Sequence, residues 1–281
     1  MNLKLSKINI LLALLMGFNF YACKKEINKD DKPPAQNTEI TTPPESFESK
    51  AVIEMFTGEW CDACPPGQTK LKELTLAYPN KIYGVKIHYA DFLEGPFYNS
   101  LAQNLGGVGA YPTASVNRSP AVNAGSQTDY VIYSKEYWET NANRFINKKV
   151  GIGLAMESKL ENGKVSLKIK TFSNGTISAL NAKLVVYIIE NNILALEQKG
   201  AAADYKHFNS ARALLTSVSG DAINIPDMVI AEKNFAFDLP TNWNAKEIYF
   251  LAFIATQGGN TSERNVINAQ QSRLGEIKNW D

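Results

Sequence analysis

The chain has 281 residues, of which 44% are hydrophobic and 20% are charged, which is ordinary for a globular protein of two domains. Its net charge of +1 gives no strong field that would attract nucleic acid or an acidic membrane surface. The sequence contains no P-loop, no GxGxxG motif and no repeat of fixed period, so nothing indicates a nucleotide-binding or solenoid protein.

The N-terminus has the pattern of a secretory signal. Residues 1–7 contain two lysines and no acid, and residues 8–20 are almost all apolar but too few to span a bilayer as a helix. We therefore predict a signal peptide over 1–22. A cysteine directly after a small residue indicates lipoprotein processing, with Cys23 as the lipidated residue. The segment Phe20–Ala22 departs from the usual Leu-small-small pattern, which leaves an ordinary signal peptide or an uncleaved anchor as alternatives.

The next segment is polar and rich in proline. It contains the pairs Pro33–Pro34 and Pro43–Pro44 and few residues that could be buried. Such a segment cannot offset the entropy lost on ordering, so it should stay extended. We predict a lipid-anchored disordered tether over 23–47.

A Cys-x-x-Cys motif follows a buried strand. The apolar run 51–56 predicts the strand, and Trp60, Cys61 and Cys64 come directly after it. Pro65–Pro66 is tolerable in the first turn of a helix, which then continues with apolar residues at helical spacing; these are Leu71, Leu74, Ala77 and Tyr78. The sequence therefore predicts that Cys61 lies at the start of a helix.

This position has chemical consequences for the two cysteines. A helix N-terminus stabilises a thiolate, so Cys61 would be the attacking thiol and Cys64 the resolving thiol. The residues leave three interpretations open: a redox pair, a disulfide that only staples the helix start, and a metal site. The chain has two histidines, His88 and His207, and neither a second Cys-x-x-Cys nor paired histidines support zinc.

The following elements complete a resemblance to a known superfamily. A strand is predicted over 82–89, a short helix near 98–105, and then Gly-Val-x-x-x-Pro-Thr ending at Thr113. Together with the strand–Trp-Cys-x-x-Cys–helix, this order resembles the thioredoxin superfamily. The resemblance implies a cis peptide bond at Tyr111–Pro112, whose backbone would contact an extended substrate, with Trp60 packing beside the dithiol.

One feature departs from that superfamily. Thioredoxins have a buried acid six residues before the first cysteine, and this chain has Met55 there. Glu54 is one position away and should face the other side of the strand. The rest of the first domain fits a strand over 113–117 and a final helix with a buried stripe of Val131, Trp138, Ala142 and Phe145.

The second half changes to strand periodicity. Alternating or continuous apolar runs separated by turn signals predict a β-sandwich of immunoglobulin-like type. These runs lie at 152–156, 165–169, 184–189, 235–239, 248–255 and 266–269. We therefore predict an α/β thioredoxin-like domain over 48–149 and an all-β sandwich domain over 150–281. The segment Tyr205–Arg212 reads either as a docking loop or as a long connection between strands.

The order of signal, tether, Cys-x-x-Cys domain and sandwich resembles the outer-membrane-protein-twenty-eight family of Bacteroides-type bacteria. This resemblance implies attachment to the outer membrane. We predict thiol–disulfide exchange by Cys61 and Cys64 on envelope proteins or a redox partner protein, with Trp60, Tyr111 and Pro112 contacting substrate. Exchange needs no cofactor and no metal, and no nucleic-acid partner is expected. The alternative is a non-enzymatic surface-binding or adhesion lipoprotein with a structural disulfide.

Overall fold

A computed structural model describes residues 39–123, 126–128, 131–175, 181–256 and 265–280. The predicted signal peptide 1–22 and the predicted lipidation site Cys23 lie outside the described residues. Residues Gln36–Asp281 form one compact unit that is rich in strands and contains few helices. Within the described ranges, no helix is long and apolar enough to cross a membrane.

The first half combines strands with short helices. Its elements in chain order are β1 Phe47–Glu48, β2 Ala51–Thr57, α1 Cys64–Ala77, β3 Ile82–His88, α2 Tyr98–Asn104, β4 Thr113–Val116, β5 Val122–Asn123, β6 Ser126–Gln127, β7 Ile132–Tyr133, α3 Trp138–Asn143 and β8 Lys149–Val150.

The second half, as far as it is described, consists of strands and one short 3-10 helix, Ala245–Glu247. The strands are β9 Ile152–Glu161, β10 Lys164–Ser173, β11 Ala182–Glu190, β12 Ile193–Leu194, β13 Lys206–His207, β14 Ser210–Leu214, β15 Asp221–Ala222, β16 Ala231–Asp238, β17 Ile248–Thr256, β18 Asn265–Arg273 and β19 Ile277–Lys278.

The strands of the first half follow the order β3-β2-β4-β7. Strands β2 and β3 are parallel, whereas β4 is antiparallel to both β2 and β7. Apolar residues of α1 and α3, such as Leu71 and Trp138, pack with Met55 of β2 in one core. Phe56, the next residue of β2, belongs with Leu101 of α2 to a second core. A mixed sheet with helices packed against it is thus described, while a thioredoxin-like domain stays a prediction.

A single sheet joins the two halves. It continues from β3 through β14 to β11, β17 and β18. The junction is a parallel contact in which Ser210 is the register partner of Lys86, and the Lys86 N–H donates to the carbonyl of Asn209 at 2.6 Å. The sheet therefore crosses the predicted domain boundary. The division into two separately folding domains stays a prediction.

A second sheet packs on the C-terminal part of the first. It has the order β16-β10-β9-β19, and its side chains share an apolar core with those of β11 and β17. Strands β9 and β10 form a hairpin, with Asn162 and Gly163 of its turn both at positive φ. Two packed sheets are thus described, while an immunoglobulin-like topology stays a prediction.

Two predictions about local structure are wrong. The tether was predicted to reach residue 47, but Phe47 is fully buried because β1 pairs with β8. The final helix of the first half begins at Trp138, because Ile132 and Tyr133 instead pair with β4 as an edge strand. In the first case Phe47 packs against Phe172 and Trp280, and this buried apolar surface together with the strand pairing holds the segment.

A buried ion pair ties the halves together. Arg118 donates two hydrogen bonds to the Glu54 carboxylate, at 2.7 and 2.8 Å, and the Tyr187 hydroxyl of β11 donates to it at 2.7 Å. The neighbouring Glu54 and Tyr187 hold the pKa of Arg118 above its usual value despite burial. Glu54 therefore faces away from Met55, as the period of two predicts.

Candidate redox site

Cys61 and Cys64 form a disulfide at the end of β2. Their Cα atoms are 5.4 Å apart, Cys64 is fully buried, and Cys61 is only 5% exposed. The helix begins at Cys64 rather than at Cys61, which corrects the sequence prediction. Cys61 instead lies in a preceding turn, where its carbonyl accepts the N–H of Cys64 at 3.3 Å.

The two prolines explain where the helix starts. They follow Cys64 directly and occupy the first turn, where a missing N–H costs no intrahelical bond and the fixed φ favours the helix. The positive end of the helix therefore lies at Cys64, next to the disulfide. This field favours a thiolate on whichever sulfur is released when the bond opens.

Pro112 packs on the same helix. The Tyr111–Pro112 peptide bond is cis, as the resemblance implies. A Cβ added to Gly67 would lie 2.7 Å from the Pro112 ring and 3.2 Å from the Met55 side chain. Gly67 therefore allows Pro112 to approach α1 about one turn after Cys64, so Pro112 and the disulfide lie on neighbouring parts of the site.

Aromatic side chains form an exposed platform beside the disulfide. Trp60 is 41% exposed, and its indole N–H donates to the carbonyl of Tyr89 at 2.7 Å. Its ring centroid lies 5.2 Å from that of Tyr111, which in turn stacks on Tyr89 at 6.0 Å. The Tyr111 hydroxyl is hydrogen-bonded to that of Tyr98, and burial raises the pKa of Tyr111. The predicted contact residues Trp60, Tyr111 and Pro112 are thus brought together.

The C-terminal half covers the other side of the disulfide. We call residues 195–207 the strap. The Gln198 amide group donates to the carbonyl of Cys61 at 3.1 Å, and the Lys199 N–H donates to the carbonyl of Glu59 at 2.8 Å. A Cβ on Gly200 would lie 2.4 Å from the Asp62 carbonyl oxygen, so the strap lies directly on the Cys-x-x-Cys turn.

Glu59 holds the strap through hydrogen bonds to its carboxylate. Its carboxylate accepts the N–H of Leu196 at 3.0 Å and lies 2.9 Å from Nε2 of His207, which is fully buried. Burial lowers the pKa of His207 to about 2. Burial is also the largest influence on the pKa of Glu59, which it raises. His207 is therefore a neutral ring that donates from Nε2 to the carboxylate.

The second histidine lies in the same buried cluster. His88 Nδ1 is 2.8 Å from Asp91 Oδ2, and the His88 and His207 rings meet at 4.8 Å. Asp91 also accepts the Glu59 N–H at 2.8 Å. Burial raises the pKa of Asp91, but the bonds from His88 and the backbone outweigh it and the pKa is lowered. Among the described residues, no group of three or more His, Cys, Asp or Glu side chains is arranged to hold a metal ion.

Sequence reasoning missed the strap and Glu59. The segment Tyr205–Arg212 was noticed only as a polar-aromatic insertion, and the structure divides it between β13 and β14. Tyr205 and His207 face the redox site, since the Tyr205 hydroxyl donates to Gln68 of α1 at 2.8 Å. The docking-loop interpretation of Tyr205–Arg212 is therefore the sequence feature that lies nearest to this contact.

Comparison with known proteins places the chain in a family. Residues 99–278 match the model of outer membrane protein Omp28. The chain belongs to the Omp28 family. The match covers both halves but begins after Cys61 and Cys64, so the family assignment does not rest on the disulfide. No curated protein sequence matches the chain.

Two solved structures are similar to the chain. HBP35 of Porphyromonas gingivalis has a TM-score of 0.68 and 23% identity, over 82% of this chain and 76% of that one. A protein of Agrobacterium tumefaciens has a TM-score of 0.46 and 15% identity, over 84% of this chain and 96% of that one. At this identity the likeness to HBP35 concerns the fold.

Proposed function

We propose that this Omp28-family protein carries out thiol–disulfide exchange on proteins of the bacterial envelope. The observation that carries the proposal is the disulfide itself, at a helix N-terminus between Pro112 and an exposed aromatic platform. A structural staple does not require an aromatic surface beside it. An extended polypeptide does, because apolar side chains on exposed rings provide affinity at little entropic cost.

The exchange proceeds in two steps. In the disulfide form, a substrate thiolate attacks Sγ of Cys61, a mixed disulfide forms, and Cys64 leaves as a thiolate at the helix N-terminus. A second substrate thiolate then displaces Cys61, so the substrate gains a disulfide and the Cys61–Cys64 pair gains two electrons and two protons. The dithiol form runs the same steps in reverse and reduces a substrate disulfide. A redox partner protein resets the pair in either direction.

We further propose that the chain is an outer-membrane lipoprotein attached through Cys23. The support is the sequence pattern before Cys23 and membership of an outer membrane protein family. Replacing Cys23 by serine should abolish incorporation of a labelled fatty acid into the protein in the native host. If the Cys23→Ser protein is labelled as strongly as the unchanged protein, attachment through Cys23 is refuted.

Trapping of mixed disulfides tests the exchange. Cys64→Ser removes the resolving thiol, so Cys61 should remain covalently joined to envelope substrates on non-reducing gels. The double change Cys61→Ser and Cys64→Ser is the matched control and should trap nothing. A Cys64→Ser chain that is folded, membrane-bound and free of any reducible adduct would contradict the proposal.

A second candidate is a binding or adhesion protein in which the disulfide is structural. It is favoured by the 5% exposure of Cys61 and by the strap lying on the turn. The reduction potential separates the two functions. A value between about −270 and −120 mV supports exchange, whereas a value below about −300 mV supports a staple.

A further inference from the structure

A buried lysine in β3 forms no salt bridge with any residue that the structure describes. Lys86 is only 3% exposed, and its ammonium group donates to the Gln68 side-chain oxygen at 2.9 Å. No carboxylate of the described residues lies within ion-pair distance of it. Burying a charge with one neutral acceptor is costly, so such a group is normally paired or becomes neutral. Burial lowers the pKa of Lys86 to about 7, in keeping with this isolation.

The nearest acids are already committed to other groups. Asp91 accepts hydrogen bonds from the backbone of Glu59 and Leu93 and from His88. Glu59 accepts from the strap backbone and from His207. Neither carboxylate can turn to Lys86 without leaving buried donors unpaired, which costs about 1–3 kcal/mol for each donor.

A cavity lies between α1 and the end of the strap, at Lys86. Its volume is about 320 Å³, within the range of small-ligand pockets. It contains three lysines and no acid; the lining comprises Gln68, Thr69, Leu71, Lys72, Lys86, Tyr205, Lys206, Phe208 and Asn209. The ammonium of Lys86 and the hydroxyl of Tyr205 meet at the same oxygen of Gln68. Donors therefore dominate its polar surface.

We propose that this cavity binds a small organic or inorganic oxyanion, carrying carboxylate or tetrahedral oxyanion groups, on the ammonium of Lys86. The anion supplies the negative charge that no described side chain places next to the Lys86 ammonium. Lys72 and Lys206 lie at the exposed rim, where they attract the anion. The site is separate from the disulfide and does not depend on the proposed redox function.

Calorimetric titration of the full chain with sulfate and with succinate tests the site. Both probes keep their charge near neutral pH, and together they distinguish tetrahedral oxyanions from carboxylates. We expect saturable binding of at least one probe, with one site per chain. Lys86→Met should weaken that binding at least about tenfold, which corresponds to about 1.4 kcal/mol. Lys164→Met, which removes an equal charge from the distant start of β10, should leave it unchanged.

A second pair of changes covers the case in which Lys86→Met does not fold. Lys72 and Lys206 are exposed, so Lys72→Met and Lys206→Met should leave the protein folded. Each variant should bind the probe several-fold more weakly. Absence of saturable binding by either probe overturns the proposal. The proposal is also overturned if Lys86→Met binds the probe as strongly as Lys164→Met does. If Lys86→Met is unfolded, the same comparison is made between the two rim variants and Lys164→Met.

Discussion

Replacing Gln198 by glutamate should make the Cys61–Cys64 disulfide easier to reduce. The Gln198 amide donates to the carbonyl of Cys61 at 3.1 Å and reaches that of Glu59 at 3.4 Å, while its oxygen accepts from Gln68 at 2.9 Å. Glutamate keeps the shape and the bond from Gln68 but has no N–H. The carbonyl of Cys61 then loses the donor from the strap, keeps only the Cys64 N–H at 3.3 Å and faces a carboxylate oxygen.

The magnitude follows from the hydrogen bonds lost. Losing this buried hydrogen bond while a carboxylate oxygen faces the carbonyl costs about 1–3 kcal/mol. This cost falls on the disulfide form, because the turn around Cys61 is held there, whereas the dithiol form can relax when the two sulfur atoms separate. Since about 30 mV corresponds to 1.4 kcal/mol for a two-electron couple, the reduction potential should rise by about 20–60 mV.

The assay is equilibration in graded thiol buffers followed by alkylation of free thiols. The matched control is Gln270→Glu, because Gln270 is equally buried and donates to the carbonyls of Leu154 and Asn279, on the side of the fold where the N-terminal segment packs. It should lower the melting temperature without moving the potential. If Gln198→Glu also leaves the potential at the wild-type value, the strap stabilises the fold only and the reasoning fails.

Three further changes test other parts of the fold. Gly200→Ala should loosen the strap and speed the reduction of the Cys61–Cys64 disulfide by dithiothreitol. The control is Gly275→Ala, which has a similar positive φ but open space around it and should not change the rate. Equal rates for the two variants would contradict the prediction. Arg118→Met should lower the free energy of unfolding in urea by about 3–5 kcal/mol, because Glu54 is left charged and buried, and adding Glu54→Met should recover part of the loss. Burial lowers the pKa of Lys86 to about 7, whereas the pKa in the unfolded chain is about 10.4. Between these two pH values the unfolded chain binds one proton more than the folded chain, so the free energy of unfolding rises with pH. Lys86→Met should remove that slope in urea titrations at several pH values, and an unchanged slope would show that Lys86 is not its source.

Local sequence patterns predicted the parts of the site that are close in the chain. The apolar run 51–56, the two cysteines and the helix after Pro65–Pro66 are adjacent, so their geometry follows from periodicity and proline chemistry. The one local error, placing the helix start at Cys61, concerns a boundary, and boundaries depend on hydrogen bonds that the sequence does not display.

Contacts between distant residues were out of reach of such patterns. Gln198 is 137 residues from Cys61, and nothing in its neighbourhood marks it as a partner. The junction of β14 with β3 is a short parallel contact, which leaves no hairpin signal. Lys86 was a visible irregularity, a lysine inside a mainly apolar strand, and a residue of that kind signals a buried polar contact without naming its partner.

The shared sheet also limits how such a gene can be recombined. A hybrid that joins residues 48–149 to an unrelated second half would leave the edge of β3 open, since β14 pairs there. It would take away the Tyr187 hydroxyl from Glu54 and the Gln198 amide from the turn at Cys61. The two halves therefore cannot be exchanged as independent cassettes, and substitutions along their junction should be inherited together.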